Sequence, residues 1–539
     1  MAFLSLPLEI QVMVISRVSS IGDLAALSQS CRSIRRLCDM KTRERCYQIR
    51  VDPKDCSINK TFDLVMEILK IPKLGNYVRE IVQTREPSME HHYVQTAEQR
   101  ELSAGDRDLL RAAVRKAGFA GSQESAVLNM LMQNTTKPPG ETREPEPFRF
   151  PNTAYGYDHG QIHGTFIAQA LAAILISVSP NLESLVMTQP FSLFPGFYRG
   201  GERPQDDDVH FPLNRLLRRA NASPASTAYL QNLRKVYMIV DDRKSDDRFY
   251  MAIDFLECAT LFDRLPSIES ISTDALCDDE NGEARIVLEP RSSNISRIHI
   301  NHSALPTIFL VSLIQSCKVL REFQYTIGGR CVLGGWSAPF NAKTFIKSIC
   351  PHKDTLEGLD IDAEDNMHYF HPSCFEEGRV DQEIDQRALE SDNDDDDEHQ
   401  MLRSFSSNSG SLKEFRALRR LSVGIGFLVY FVMGVRENNE PRQPFLLPET
   451  LPESLEYLCI RGTRKGSASC GIHILMPWSR PLSRAHRGSR RSQELRKPFP
   501  IPRMWRIQTM TKTCYGFRYI VLTTRPRSIL TQRILQTCF

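Results

Sequence analysis

Apolar residues recur along this chain in a six-residue cadence, apolar-x-x-apolar-x-apolar, which returns eight times. The copies begin at Leu182, Leu233, Ile268, Ile295, Leu320, Leu356, Leu418 and Leu455. The alternation closing each copy has the period of a strand with one buried face. Ahead of several copies lies an apolar stretch of helical character ended by a breaker: 166–178 before Pro180, 251–265 before Pro266, 307–316, and 340–350 before Pro351. Helix, turn and short strand in repetition predict an α/β chain whose strands stack in parallel with helices on the outer side. First positions are separated by 51, 35, 27, 25, 36, 62 and 37 residues. A regular array of this kind repeats every ~20–29 residues, so the spacing predicts an irregular solenoid with inserted loops.

Upstream of these copies, 68–82 reads as a helix end followed by a first edge strand that opens the array. Residues 109–117 and 126–132 read as helices. A Pro-rich link at 137–151 reads as an exposed loop, and 137–160, 190–212 and 376–410 are expected to be flexible.

The first fifty residues differ in pattern. Pro7 stands where a helix starts, and its missing N–H costs nothing there. Leu6, Ile10, Val14 and Val18 then recur every four residues beside Met13, an amphipathic stripe. After a break at 19–22, Asp23 fits a helix N-cap, and Leu24, Leu27, Ile34 and Leu37 form a second stripe. Short helices in about forty residues bury little surface alone and need a partner or a neighbouring domain.

These residues resemble a known family. Leu6-Pro7-Leu-Glu-Ile10, then Val14, Val18, Asp23-Leu24, Leu27 and Ser30-Cys31-Arg32 before Ile34 look like the F-box, in its usual order and spacing. The resemblance implies that Leu6, Pro7, Ile10, Val14 and Leu24 contact a Skp1-type adaptor within a cullin-based ubiquitin ligase. The alternative is a helical hairpin that merely caps the following repeats. With the repeats, residues 1–462 resemble an F-box protein of fungal type with a divergent leucine-rich-repeat region. The implied organisation is an F-box over 1–50, a solenoid over 62–462 and a poorly ordered basic tail over 463–539.

Composition adjusts this picture in three places. Net charge is +3, yet residues 471–539 hold 14 Lys or Arg against Glu494 alone. The tail's aromatics have no platform spacing, so nucleic acid is not expected as a partner. The run around 391–398, Ser-Asp-Asn-Asp-Asp-Asp-Asp-Glu, lacks the Gly and alternation of a calcium loop and reads as a solvated insertion. The 14 cysteines include no CxxC pair and read as reduced thiols of a cytoplasmic or nuclear protein. No basic leader precedes the N-terminal apolar run, which carries Glu9, and the apolar stretch 423–434 is too short to span a bilayer.

Enzyme motifs are absent: there is no GxSxG or HExxH, and the glycines near 328–335 lack the Lys-Ser/Thr of a phosphate loop. Cys350, His352, His368, His371 and Cys374 offer zinc-type ligands, but scattered surface histidines explain them better. No cofactor or metal is expected, and the chain reads as a non-catalytic adaptor. Strand residues between the apolar anchors point away from the helices, toward the concave face. On that basis Lys235, Tyr237, Arg297, His299, Glu322, Gln324, Asp360, Arg420 and Tyr457, together with Ser184, Val186, Ser270, Ser272, Ser422 and Cys459, are expected to contact a protein substrate. A repeat scaffold unrelated to ubiquitin is the first competing function, and an enzyme of unrecognised type using zinc in the 350–374 region is the second.

Overall fold

In the computed structural model every one of the eight cadences ends in a β-strand. The structure describes residues 3–18, 21–53, 55–85, 99–133, 159–191, 211–240, 250–277, 288–328, 330, 340–363, 411–424, 427–428, 450–464, 506–508 and 517–523. In chain order the helices are α1 (Leu8–Arg17), α2 (Ile21–Ser30), α3 (Arg32–Cys38), α4 (Met40–Tyr47), α5 (Asp55–Lys70) and α6 (Ala104–Lys116). They continue with α7 (Ser122–Leu131), α8 (His159–Val178), α9 (Pro212–Ala222), α10 (Phe255–Thr260), α11 (Thr307–Ser316) and α12 (Ala342–Ile349). The strands are β1 (Gln48–Val51), β2 (Glu80–Gln83), β3 (Ser184–Met187), β4 (Lys235–Met238), β5 (Met251–Ala252), β6 (Ser270–Asp274) and β7 (Leu276–Cys277). Then come β8 (Arg297–Asn301), β9 (Glu322–Thr326), β10 (Gly358–Asp362), β11 (Arg420–Gly424), β12 (Tyr457–Arg464), β13 (Arg506–Gln508) and β14 (Phe517–Thr523). The chain is α/β.

Two units form, Met1–Ser245 with Ile253–Ser272, and Asp246–Ala252 with Thr273–Phe539. The four N-terminal helices are thus part of the first unit, and the boundary falls inside the stretch 62–462.

In the first unit β1, β2, β3 and β4 pair in parallel, and β6 neighbours β4. The edge strand is β1, one strand earlier than the pattern at 68–82 indicates. Its signal is short: Ile49 and Val51 are the only buried apolar positions of four residues. The anchor residues Ile81, Leu185, Met187, Val236 and Met238 are buried, so one side of the sheet is core. Against it lies α8, which also packs on α5, α7 and α9 and is buried on every side from Phe166 to Ile176, apolar there except for Gln169. A helix without a polar face survives only when enclosed. Gly75 sits so close to the end of α8 that a Cβ there would overlap the Val178 carbonyl oxygen.

The second unit carries β8, β9, β10, β11 and β12 in parallel. Beyond them β14 pairs antiparallel with β12, and β13 with β14. Here Phe323, Tyr325, Phe340, Phe345 and Phe427 fill the core, with ring centroids 5.2 to 6.1 Å apart.

Several expectations are corrected. Asp23 is not an N-cap, because α2 begins at Ile21; it lies in the first turn, where an acid is still favourable. The helix expected over 251–265 is only α10, preceded by β5 and followed by turns. Among the described residues, β11 is preceded by a 3-10 turn, Leu412–Glu414. Of the tail, the described residues include β13 and β14, and β14 covers the edge that β12 would otherwise present. Helix α9 begins within the expected loop 190–212, and α8 takes in 159–160; the remaining expected loops lie outside the described residues apart from 190–191 and 211. The phase of α9 is readable in the sequence. Leu213, Leu216, Leu217 and Ala220 have helical spacing behind Pro212 in the first turn.

Candidate docking and recognition surfaces

The N-terminal helices build a small core of their own from Ile15, Leu24, Ile34 and Cys38, with Phe3, Val18, Leu27, Cys31, Leu37 and Met40 packed around it. Short joints hold it: Pro7 occupies the N-cap of α1, the Cys31 sulfur accepts from the Ile34 N–H, and Asp39 turns left-handed (φ 46°) between α3 and α4. Helix α4 ties the module to α5 and the turn after it. The Arg43 guanidinium lies 4.3 Å from the centroid of the Tyr77 ring, and Arg45 pairs with Glu67 at 2.6 Å.

Helix α1 turns Gln11, Ile15 and Val18 inward, and the Gln11 amide donates to the Leu6 carbonyl at 2.7 Å. Residues one position earlier, Ile10 and Val14, therefore project outward, with Met13 beside them. Exposure is 58% at Leu8, 37% at Ile10, 50% at Met13 and 42% at Val14. Among the described residues the other exposed large apolar side chains are Ile71, Leu109 and Val319. Four of the seven thus sit on one ten-residue helix. Scattered apolar surface is ordinary; its concentration on a single short helix is not.

Of the residues expected to meet an adaptor, Pro7, Ile10 and Val14 are exposed and Leu6 is half-buried. Leu24 is not accessible, at 4% exposure. Helices α2 and α3 have few large apolar side chains, and Leu24 and Ile34 are the ones that fill the module's core. Val18, part of the predicted stripe, also turns onto that core. Leu8, the first residue of α1, and Met13 are exposed as well.

The strand face of the second unit is polar and tightly paired. Glu322 on β9 is met by Arg420 at 2.6 Å, His299 at 3.5 Å and Arg297 at 3.8 Å. Arg420 belongs to β11, two strands away, or about 10 Å. It reaches Glu322 because Gly358 lies between them in register. A Cβ at Gly358 would touch the Arg420 guanidinium at 3.4 Å, so a larger side chain would lift the arginine off the sheet. The device occurs a second time, one strand along. Arg461 on β12 sits opposite Gly424 of β11 and reaches Asp360 at 2.8 Å and Asp362 at 3.5 Å on β10. Acid, glycine and arginine on three successive strands make each brace.

These braces shape the surface. Arg297, His299, Glu322, Gln324, Asp360, Arg420 and Tyr457 share one side of the second unit's sheet, and Gln324 donates to Asn301 at 2.9 Å. Ser422 and Cys459, expected on the open face, are buried at 8% and 6%. Arg461 passes from β12 back to β10 and closes the surface over that row. Lys235, exposed, and Tyr237, half-buried, lie on β4 of the first unit.

The neighbouring cations hold the Glu322 carboxyl far below its ordinary range, to about 2, with the His299 hydrogen bond contributing most. Burial pushes Asp360 the other way, against the pull of Arg461. His352 is buried: Nδ1 accepts from the Leu320 N–H at 3.3 Å, and Nε2 lies 3.2 Å from the Ile314 carbonyl oxygen. Both ring nitrogens are engaged inside the fold, so His352 is no zinc ligand. Its zinc-type companions His368, His371 and Cys374 lie outside the described residues, among which no group of three metal-binding side chains occurs. Burial also raises the thiols of Cys38, Cys46, Cys258, Cys317, Cys350 and Cys459, the reverse of what activates a nucleophile.

Acid should weaken the second unit in two steps. Desolvation lowers the pKa of His352, so its contribution is complete above about pH 6.5 and is lost as pH falls below it. The depressed Glu322 contributes above about pH 4.5, on the order of 3 kcal/mol, and that is lost as pH falls toward 2. Asp360, raised by burial, runs opposite in sign and softens the second step. Thermal melts of wild type and His352→Asn between pH 7.5 and 5.5 check the first step. The wild-type midpoint should drop and the variant's stay level; equal slopes would mean that His352 carries no part of the pH dependence.

A scan against protein-family models and a search of curated proteins gave no match for this sequence. Function therefore rests on these surfaces alone. Among the described residues no helix is long and apolar enough to cross a membrane.

Proposed function

We propose that this chain is the substrate-recognition adaptor of a Skp1–cullin–F-box ubiquitin ligase. In this reading residues 1–50 are an F-box, and the helix–strand units beyond them are divergent leucine-rich repeats. The observation that supports it is the apolar outer side of α1, on a module whose own core is already filled. Leu8, Ile10, Met13 and Val14 gain nothing by remaining in water, and burying such side chains in a partner contributes about 1.5–3 kcal/mol each when complete. They stand within the motif whose residues resemble the F-box, where Leu6 and Pro7 precede them.

The chain itself performs no bond chemistry in this role. It holds a substrate lysine close to a charged ubiquitin-conjugating enzyme and raises its effective concentration. The paired strand face of the second unit, with Arg297, His299, Glu322, Gln324, Asp360, Arg420 and Tyr457, is the surface we assign to substrate. Arg461 and Asp362 join it. Lys235 and Tyr237 offer a second contact region. Purified full-length chain mixed with a Skp1-type adaptor and run through a sizing column tests the reading. Co-elution at one-to-one stoichiometry is the expected result. Separate elution would favour a repeat scaffold with no link to ubiquitin.

A further inference from the structure

A cluster of cations lies on the same module as the α1 face. Helix α3 reads Arg32-Ser-Ile-Arg35-Arg36-Leu-Cys and contains no acid. Ile34 and Cys38 point into the module's core, so Arg32, Arg35 and Arg36 stand on the outer side, and Lys41 follows on α4; all four are solvent-accessible. Arg32 is three residues from Arg35 and four from Arg36, the spacings at which side chains on a helix are neighbours and like charges repel. Among the described residues none of these four side chains has an ion pair or hydrogen bond. Elsewhere in the unit four cations are paired: Arg45 with Glu67, Lys70 with Asp106, Arg115 with Glu124 and Arg234 with Glu269. The module's acids, Glu9, Asp23, Asp39 and Glu44, lie on the other helices or at the joint after α3.

A self-repelling cluster on a segment this small is a local cost with no compensation inside the chain. Such conflicts concentrate where a sequence serves a partner. We infer that the partner seated on α1 presents acidic side chains to Arg32, Arg35, Arg36 and Lys41, so that this cluster steers the encounter and selects a negatively charged adaptor surface. The inference rests on the docking reading above. Apolar contact at Leu8, Ile10, Met13 and Val14 would supply the bulk of the affinity, and the cations the rate of association and its salt dependence.

The cost inside the chain makes the test sharp. Arg32→Glu turns two repulsive spacings into attractive ones, so it should leave the isolated protein as stable as wild type or more so, while weakening the complex. Binding of full-length wild type and Arg32→Glu to a purified Skp1-type adaptor is measured at 50 and 500 mM salt, with melting midpoints taken alongside. We expect the variant to bind about tenfold more weakly at low salt, mainly through slower association, and the gap to shrink at high salt. Equal affinity at both salts, with wild type binding, would overturn the acidic partner and leave the docking reading standing. No binding by wild type would overturn both. A loss of binding matched by a lower midpoint would also count against the inference, because it makes Arg32 structural.

Discussion

Replacing Ile10 and Val14 together by aspartate should abolish adaptor binding while leaving the chain folded. Both side chains are partly exposed in the free protein, and neither belongs to the core of Ile15, Leu24, Ile34 and Cys38. In water the two carboxylates cost little. Closed into an apolar contact they must shed water without a partner, at about 2–4 kcal/mol or more for the pair. That is on the order of a thirtyfold to a thousandfold loss of affinity. Leu24→Asp is the instructive comparison: it too would lose binding, but by collapsing the module's core, and its melting midpoint would fall. Titration calorimetry with the adaptor, beside thermal melts, separates the two. Unchanged affinity in the Ile10/Val14 variant would mean that α1 faces water in the complex as well.

The second large effect is expected at Glu322. Substituting lysine there removes the acid that Arg297, His299 and Arg420 share and sets a fourth basic group among them. Arg420 would swing off Gly358, and the brace between β9 and β11 would be lost. Breaking a partly buried charge cluster in this way costs about 3 kcal/mol, so the second unit should melt earlier. Substrate capture in cells should fall with it, while adaptor binding, which depends on the first unit, stays at the wild-type level. Arg420→Lys is the finer probe, since an ammonium lacks the planar fork that lies across the glycine. A Glu322→Lys protein that captures the same proteins as wild type would place the substrate elsewhere, with Lys235 and Tyr237 the next residues to test.

Much of this architecture is legible in the sequence because a six-residue cadence leaves little freedom. Leu320, Phe323 and Tyr325 repeat the spacing of Ile295, Ile298 and Ile300, and both sets are buried anchors of neighbouring strands. The strand β1 does not stand out because four residues with two apolar positions do not rise above chance. Helix α9 is hidden by the loop-like composition before it, although its own leucines are in phase. Helical phase, not apolar character, decides the N-terminal module: Ile10 and Ile15 look alike in the sequence but lie on opposite sides of α1. The paired braces are out of reach from one dimension. Gly358 and Gly424 are unremarkable residues until the register sets each between an acid and an arginine on the two flanking strands. Likewise, the expected reach of Ser422 and Cys459 to the surface fails because a side chain of β12, Arg461, closes over them.

The outer side of α1 should be water-exposed in the free chain and covered by an adaptor in the complex. Hydrogen–deuterium exchange of the full-length protein, with and without a saturating Skp1-type adaptor, measures this most directly. Peptides spanning residues 5–18 should exchange more slowly on adding adaptor than in the free protein, while those covering β8 to β12 should not change. Exchange at 5–18 that is the same with and without adaptor, in a mixture shown to contain the complex, would contradict docking through α1.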